Sequence, residues 1–379
     1  MSTHKALQTI DKTTILDTVT TPSLEAGQMM AQPLFVGVCG TDLQIIRRQR
    51  PDPATILGHE GVARIIESND NKKDIQIGDL VVFNPVDPTD QNQILGHNTP
   101  GLLQDQYLVT EHAIDNDLVV SFPKDIDPML GALVEPLGTV AYGHDLASSV
   151  VKQSSIAIVG AGAIGIMHAL YAKAQGYNQI FLINTSQQHL DWCAERNIIG
   201  QEDALLDSED LADRILAATH GVGVDAVYMC TSRPNALIAL SKALCYTKTG
   251  GCIDLVGGIK DGDKIDELPN VEDLNAIRRA NFCGIPASGH VELTTTSDGK
   301  QVYITGHRGT SLGHFKGVIE NLRSHGDLFS KVVSHVISLE ACATLFNEIA
   351  KGHVKEFDGV PYVKAVVELS LDGYQIRNT

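Results

Sequence analysis

The hydrophobic residues of this chain follow two different patterns along its length. In the first part they form short strand-like runs bounded by turn residues, at 61–66, 79–83 and 107–109. The segment 84–101 is rich in Pro, Asp, Asn and Gln, a composition typical of a loop. The first part of the chain is therefore predicted to consist of short β-strands.

From residue 155 onwards, strand-like and helix-like segments alternate. Strands are predicted at 155–159, 179–183, 224–229, 251–256 and 301–305, and helices at 164–175, from 187, at 235–246 and at 312–324. Such alternation predicts a parallel sheet covered by helices. The segment 258–300 is long for a connection and is interpreted as an insertion near the functional site. Strand-like segments at 332–337 and 363–369 close the chain, so we expect its two ends to form one domain interrupted by the other.

Length and composition are typical of a globular protein with two domains. A chain of 379 residues exceeds the roughly 250 residues at which single cores stop growing. Hydrophobic residues make up 43% and charged residues 20%, and no apolar run approaches the ~20 residues that a membrane span needs. The first residues show no export signal, so we expect a cytoplasmic protein without a membrane partner.

Charge and cysteine content argue against two further classes of protein. The formal net charge of −17 makes nucleic acid an unexpected partner, because binding to phosphates needs a basic surface. The 7 cysteines are scattered without a repeated short spacing, so a disulfide framework is not expected. Only Cys39 has a sequence context that indicates chemistry.

A glycine-rich turn follows the first strand of the alternating region. Gly160, Gly162 and Gly165 have the spacing G-x-G-x-x-G, and Ala163 and Ile164 begin the next helix. The first glycine permits a tight turn, the second lets the backbone approach a pyrophosphate, and the third lets helix and strand pack closely. The helix N-terminus then holds the phosphate charge. A turn that serves packing alone is the alternative, but a second strand at the expected distance favours a dinucleotide site.

The end of the second strand bears on the choice between NAD and NADP. An acidic residue there favours NAD, because its carboxylate binds the ribose hydroxyls and repels a 2′-phosphate. This strand ends instead in Asn184, Thr185 and Ser186, which slightly favours NADP, although no arginine follows. The alternative is that Asn184 binds the ribose without discriminating. Val256 and Gly257, at the end of another strand, are expected to contact the same cofactor.

Three motifs ahead of this region carry potential metal ligands. They are Val-Cys39-Gly-Thr41-Asp, Gly-His59-Glu60-Gly and Val-Glu135-Pro. Each residue alone is more often structural, since a single Cys usually belongs to a core, a single His is more often a satisfied surface or core residue, and Glu before Pro is common at a helix start. Together, a thiolate, an imidazole and a carboxylate form the ligand set that suits Zn²⁺.

In this order, and followed by Gly-Ala-Gly-Ala-Ile-Gly, the motifs resemble the zinc-containing medium-chain dehydrogenases, above all the polyol, threonine and sugar dehydrogenase branches. The resemblance covers nearly the whole chain. It implies that Cys39 and His59 bind one catalytic zinc per subunit, with Glu60 and Glu135 as carboxylate partners. In such enzymes the two glutamates alternate as zinc ligands or act through water. The resemblance therefore does not decide which glutamate binds zinc in the resting state.

The same resemblance implies an α/β fold in which a GroES-like, β-rich catalytic domain is split around a Rossmann domain with a doubly wound parallel sheet. We place the first part of the catalytic domain at 1–147, the Rossmann domain at 148–311 and the returning part of the catalytic domain at 312–379. Relatives are dimers or tetramers, so a homo-oligomer is expected.

The resemblance also assigns a proton relay. Thr41 matches the hydroxyl that takes the proton of the alcohol, although the alternative is that it only caps a turn. Many relatives have His or Glu three residues later, where this chain has Gln44. Because an amide does not titrate, the relay has to end on water, on ribose or on another group.

A second departure from the family concerns the loop 84–101. Many relatives carry four cysteines there that bind a structural zinc, but this chain has none between residues 83 and 107, so no structural zinc is expected. His97 and Asn98 in this loop are candidates for contact with a hydroxylated substrate, with a solvated loop as the preferred alternative. Arg308 is a candidate for binding a substrate carboxylate or phosphate, with a role in holding a loop ranked slightly higher.

The predicted reaction is hydride transfer between a secondary alcohol and NAD(P), on a polyol, sugar or other hydroxylated small molecule. Zinc acts in this chemistry as a Lewis acid on the substrate oxygen. One alternative is a zinc-free reductase of the same superfamily, which normally lacks the Cys and Gly-His-Glu ligands. The other is a catalytically retired dinucleotide-binding sensor.

Overall fold

The computed structural model describes residues 2–69, 74–90, 92–352 and 354–379. Contacts divide the chain into two compact units, Met1–Pro136 with Phe315–Thr379, and Leu137–His314. The first unit therefore combines both ends of the chain, whereas the second is one continuous segment. In the part of the chain that the structure describes, no helix has the length and apolar character needed to cross a membrane.

Strands and helices alternate regularly only in the second unit. The strands are β1 Thr3–Ile10, β2 Thr13–Thr20, β3 Met29–Gly37, β4 Glu60–Ser68, β5 Leu80–Phe83, β6 Tyr107–Val109, β7 Val119–Phe122, β8 Ser155–Val159, β9 Gln179–Asn184, β10 Ala204–Leu206, β11 Val224–Met229, β12 Thr247–Asp254, β13 Glu292–Thr295, β14 Gln301–Thr305, β15 His335–Ile337, β16 Glu356–Phe357, β17 Val360–Pro361, β18 Ala365–Glu368 and β19 Ile376–Asn378. The helices are α1 Gly40–Ile46, α2 Glu111–Asp115, α3 Val134–Ser148, α4 Ala163–Ala174, α5 Gln187–Glu195, α6 Leu211–Ala218, α7 Ala236–Tyr246, α8 Leu274–Arg279, α9 Leu312–Phe329 and α10 Leu339–Lys351.

The first unit is built on a sheet that joins the two ends of the chain. Its strand order is β19-β15-β18-β3-β4-β5-β7, and β6 also pairs with β3. β18 runs antiparallel to β3, with Val367 opposite Val36. Both side chains are fully buried in one core, together with Leu345 of α10. Because this core needs residues from both ends, neither end can bury its apolar face alone.

The second unit is a parallel sheet of the doubly wound type. Its strand order is β10-β9-β8-β11-β12-β14-β13, and all neighbours are parallel except β13 and β14. All six residues of β11 are buried, as expected for a central strand covered on both faces. The chain winds in one direction from β8 to β10 and in the other from β11 onwards, so the reversal lies between β8 and β11. Ligands of such sheets bind at this point, beyond the carboxyl ends of the strands.

The predicted strands at 155–159, 224–229 and 301–305 are confirmed at the predicted bounds. The segment 258–300 is more than an insertion, because it contains α8 and the edge strand β13. β13 has only four residues, and their burial is mixed. Such a short strand shows no clear alternation of hydrophobic and polar residues, so the sequence did not predict it. Within the predicted loop 84–101, Gln91 lies outside the described residues.

Candidate functional site

Cys39 is held at the N-terminus of α1 by a reciprocal cap. Its backbone N–H donates to Asp42 Oδ2 at 2.9 Å, and its Sγ accepts from the Thr41 N–H at 3.5 Å. These hydrogen bonds satisfy groups that the start of a helix leaves unpaired. The Cys-Gly-Thr-Asp sequence therefore fixes the position of the thiol by local interactions alone.

Cys39, His59 and Glu60 form one group of potential metal ligands in the first unit. One donor atom from each residue lies within 4.8 Å of the other two. Among the described residues, no other set of three or more His, Cys, Asp or Glu side chains has this spacing. Three such ligands of mixed thiolate, nitrogen and oxygen type fit Zn²⁺ and leave a coordination position open.

Asp42 lies behind His59, although the sequence analysis gave it no role. Its Oδ1 is 3.6 Å from His59 Nδ1, and both side chains are buried. Burial lowers the pKa of His59, but the negative charges of Cys39 and Asp42 outweigh it and hold that pKa well above its ordinary value. A carboxylate that hydrogen-bonds a metal-binding histidine orients its ring, and this pair lies just beyond hydrogen-bond distance.

Lys364 forms a buried ion pair with Glu60. The lysine Nζ donates to Glu60 Oε2 and, at 3.0 Å, to the carbonyl of Val38. The side chains of Lys364 and Glu60 are 3% and 1% exposed. Gly37 makes room for the pair, because a Cβ there would lie 2.7 Å from Glu60 Oε2. No sequence motif around Lys364 identifies it as a residue of this site. The lysine reaches the site only through the pairing of β18 with β3.

Glu135 lies in the first turn of α3, outside the group of three ligands. Burial and then the negative charge of Glu60 raise its pKa to about 7, although His59 and Lys364 act in the opposite direction. A carboxyl with this pKa can hold or release a proton near neutral pH. The structure thus places the two predicted glutamates in different positions, with Glu60 beside the thiol and imidazole.

The prediction that His97 belongs to a solvated loop is wrong, because this residue is only 8% exposed. Its ring packs against the ring of His59 with centroids 4.8 Å apart and planes at 79°. Burial, followed by the charge of His59, lowers the pKa of His97 to about 4. Asn98 is half-buried, and its Oδ1 accepts a hydrogen bond from the Ile94 N–H at 2.7 Å. The loop therefore folds back onto the ligand group instead of extending into water.

The glycine-rich turn has the geometry that a dinucleotide requires. Gly160 has a φ of +114°, and a Cβ there would lie 2.7 Å from the carbonyl oxygen of Cys230. A Cβ on Gly165 would lie 1.8 Å from the carbonyl oxygen of Gly160. By contrast, a Cβ on Gly162 would meet no described atom within 4 Å, so this side of the turn is open. α4 begins at Ala163, followed by Ile164, so its first N–H groups lie at the turn.

The residues predicted to bind the adenosine ribose lie between β9 and α5. Asn184 ends β9 and is half-buried, and Thr185 is exposed. The Ser186 hydroxyl oxygen accepts from the His189 N–H at 3.4 Å and caps α5. Val256 and Gly257 follow β12, and both are half-buried. Their roles as cofactor contacts stay predictions.

Arg308 is tied into the segment that follows β14. Its backbone N–H donates to the Asn281 carbonyl at 3.0 Å, and its own carbonyl accepts from the Cys283 N–H at 2.9 Å. The guanidinium Nη2 donates to Asn275 Oδ1 at 3.5 Å. These contacts favour the role in holding a loop over the role in binding a substrate.

A Rossmann-type unit together with a β-rich unit that carries a zinc-type ligand group defines the class of alcohol-dehydrogenase-type oxidoreductases. Two family models match the chain, one described as zinc-binding dehydrogenase over residues 163–295 and one described as alcohol dehydrogenase GroES-like domain over residues 25–124. Together they cover more than half of its residues. The chain belongs to the zinc-dependent medium-chain dehydrogenase family, as its motifs predict.

Individual relatives are distant but extensive in coverage. A sorbitol dehydrogenase of Bombyx mori is 26% identical over 67% of this chain and 76% of its own length. A glucose 1-dehydrogenase of Caldivirga maquilingensis is 27% identical over 72% of this chain and 80% of its own length. The solved structure of an alcohol dehydrogenase from Thermotoga maritima superposes with a TM-score of 0.72, at 18% identity, over 97% of this chain and 99% of that one. The predicted split fold, the oxidoreductase class and the cofactor classes, zinc and NAD(P), are confirmed.

Proposed function

We propose that this chain reversibly oxidises a secondary alcohol group of a polyol, sugar or similar hydroxylated small molecule. The observation that carries the proposal is the Cys39, His59 and Glu60 group, whose donor atoms lie within 4.8 Å of one another. The similarity to sorbitol and glucose dehydrogenases supports a substrate with several hydroxyls. When bound, zinc supplies a Lewis acid that lowers the pKa of a substrate hydroxyl, and NAD(P) accepts the hydride.

Each residue of the first unit has a distinct part in this proposal. Cys39 and His59 hold the metal, and Asp42 orients the His59 ring. Glu60 divides its carboxylate between the metal and Lys364, so its Oε2 is already paired within the protein. Glu135 is proposed to take up a proton, because burial raises its pKa to about 7.

The proton of the alcohol passes first to Thr41 in this proposal. Thr41 is half-buried in the first turn of α1, next to Cys39. Gln44 lies one turn further along the same helix and is exposed, and its amide cannot continue the transfer. The proton therefore leaves through water, through a ribose hydroxyl or through Glu135.

The dinucleotide binds in the second unit. The turn formed by Gly160, Gly162 and Gly165 lets the backbone approach the pyrophosphate at Gly162, with Asn184 at the ribose. We propose NADP as the slightly favoured cofactor, because no carboxylate ends β9.

We also propose that the protein forms a homo-oligomer. β13 is an edge strand of the sheet, and its Leu293 is 51% exposed. Light scattering of the purified protein measures the subunit number.

Metal content per subunit of protein purified without chelator, with fluorescence titrations of NADH and NADPH, tests the proposal. One zinc per subunit, tight binding of a reduced dinucleotide and turnover in a panel of polyols and sugars are the expected results. A protein that binds the dinucleotide without zinc would instead be a zinc-free reductase or a sensor. Zinc with no turnover of any secondary alcohol would overturn the proposed reaction.

A further inference from the structure

His97 is held in one position by close contact between two backbone segments. Gly96, just before it, has a φ of +71°, and a Cβ there would lie 2.8 Å from the carbonyl oxygen of Gly58. A Cβ on Gly101 would lie 2.4 Å from the same oxygen. Gly58 directly precedes His59. The loop backbone therefore lies directly against the segment that carries this metal ligand.

The carbonyl and N–H of His97 add to this anchoring. The carbonyl accepts from the Ala54 N–H at 2.8 Å, and the N–H of His97 donates to the Ile94 carbonyl at 3.2 Å. The ring then packs edge to face on His59. With its backbone fixed on both sides, the imidazole is ordered before any ligand arrives, which lowers the entropy cost of binding.

Neither ring nitrogen of His97 has a hydrogen-bond partner among the residues that the structure describes. Nδ1 is 3.7 Å from Asp52 Oδ1, which is too long for a hydrogen bond. Arg50 already occupies that carboxylate, with its Nε 2.7 Å from Asp52 Oδ2. Leaving a buried polar group without a partner is unfavourable, so such a group next to a metal site points to a position where a ligand can hydrogen-bond.

The groups around His97 determine which kind of ligand group can hydrogen-bond to its ring nitrogens. A neutral imidazole offers one donor and one acceptor, and a hydroxyl group has the same pair of functions. His59 and Arg50 act on the ring with positive charge, and Asp42 and Asp52 act on it with negative charge, so charges of both signs surround this position. The nearby guanidinium of Arg50 is paired with Asp52 and is therefore already engaged. An uncharged hydroxyl therefore fits this position better than an anion.

We propose that His97 binds a second hydroxyl of the substrate, on the carbon next to the one that is oxidised, so that the site prefers vicinal diols to simple secondary alcohols. This inference rests on the proposed function. Its geometric basis is the contact between the rings of His97 and His59. His59 would hold the metal that binds the reacting oxygen, and a hydroxyl on the adjacent carbon lies close enough to that oxygen to be within reach of a side chain that touches this ligand. His97 is thus a specificity-determining residue.

The test compares cis-1,2-cyclohexanediol with cyclohexanol, which differ by a single hydroxyl. The ratio of kcat/KM for diol over monoalcohol is measured for the wild type, His97→Leu and His97→Gln. Leucine fills a similar volume without a hydrogen bond, whereas glutamine keeps a donor and an acceptor. We expect His97→Leu to lower the ratio about 10- to 100-fold, as loss of one buried hydrogen bond implies, and His97→Gln to restore part of it. His290→Leu, at an exposed histidine of the second unit, is the control and leaves the ratio unchanged.

A second readout is independent of turnover. Zinc content and the shift in unfolding temperature with each alcohol are measured on zinc-loaded protein. The expected result is unchanged zinc content and loss of the extra shift caused by the diol in His97→Leu. An unchanged ratio, or an equal fall for both alcohols, would overturn the inference and leave His97 as packing for His59. If the wild type oxidises neither these two alcohols nor any polyol or sugar of the panel, the proposed function fails. The binding measurement still tests the inference, because equal binding of the diol by wild type and His97→Leu overturns it.

Discussion

Lys364 and Glu60 lie 304 residues apart in the chain and form a buried ion pair next to the Cys39 and His59 side chains. The pair places a fixed positive charge behind one carboxylate of a potential zinc site. Such a pair is costly to break on one side only, because the remaining charge stays buried without compensation. Lys364 therefore contributes to stability and to the electrostatics of the metal group together.

Replacement of this lysine tests its contribution. We expect Lys364→Met to lower the free energy of unfolding of the metal-free protein by about 3–5 kcal/mol, because Glu60 loses its counter-charge. Zinc content should be maintained, because the variant removes a positive charge that competes with the metal for Glu60. Lys364→Arg keeps the charge and should lose less. Urea unfolding and metal analysis measure both effects. The control is Lys5→Met, at a half-exposed lysine 3.8 Å from Asp372, with an expected loss below about 1 kcal/mol. Equal stability of Lys364→Met and Lys5→Met would contradict the prediction.

Cys39→Ser separates the metal site from the dinucleotide site. A serine hydroxyl is a poor zinc ligand, so we expect loss of zinc and a fall in turnover of at least about 100-fold. Mutation of a residue that only hydrogen-bonds to a metal ligand already costs up to about 100-fold, and loss of the ligand itself should cost at least as much. NADH and NADPH should bind as before, because the glycine-rich turn belongs to the other unit. Cys245→Ser, at an exposed cysteine, serves as the matched control. Full activity of Cys39→Ser would refute the assignment of the metal.

Asn184→Asp tests the choice of dinucleotide. A carboxylate at the end of β9 repels a 2′-phosphate and binds the ribose hydroxyls, so the ratio of the Kd for NADPH to the Kd for NADH should rise by about tenfold, which corresponds to about 1.4 kcal/mol. Fluorescence titration measures both constants. Asn178→Asp adds the same charge at an exposed position of the second unit and should leave the ratio unchanged. The same ratio in both variants would mean that Asn184 does not contact the ribose.

Asp254 gives the stability of the protein a dependence on pH. The carboxyl ends β12, is 1% exposed, and has no hydrogen-bond partner among the described residues. Burial raises its pKa to about 7, although Arg278 acts in the opposite direction. Between pH 4 and 7 the folded state keeps a proton that the unfolded chain has lost, so the free energy of unfolding falls as pH rises.

We therefore expect Asp254→Asn to become more stable relative to the wild type as pH increases from about 4 to 7, by a few kcal/mol, since one pKa unit corresponds to about 1.4 kcal/mol. Above pH 7 the difference should level off. Urea unfolding at several pH values measures it. Asp372→Asn, at a side chain that is 97% exposed, is the control with a constant difference. A constant difference for Asp254→Asn as well would show that the carboxyl titrates normally.

Residues whose geometry depends on local interactions could be predicted from the sequence, and residues placed by tertiary contacts could not. The glycine-rich turn and the Cys39 motif are short, and local interactions determine their geometry, so their residues could be named from the sequence. Lys364 could not be found, because only the pairing of β18 with β3 brings it to Glu60. The burial of His97 depends on contacts between Gly96 and Gly58, and loop composition does not reveal such contacts. Asp42 was visible in its motif, but its second contact, with His59, is tertiary.

The order of the units along the chain also sets an order of assembly during synthesis. The dinucleotide unit ends at His314, so a ribosome completes it while β18 is still unmade. Until that strand emerges, β3 is paired with β4 and β6 but lacks its third partner, β18, and Glu60 lacks the ammonium group of Lys364. The nascent protein can therefore fold its second unit first, whereas the metal centre reaches its final charge balance only after Lys364 has been translated.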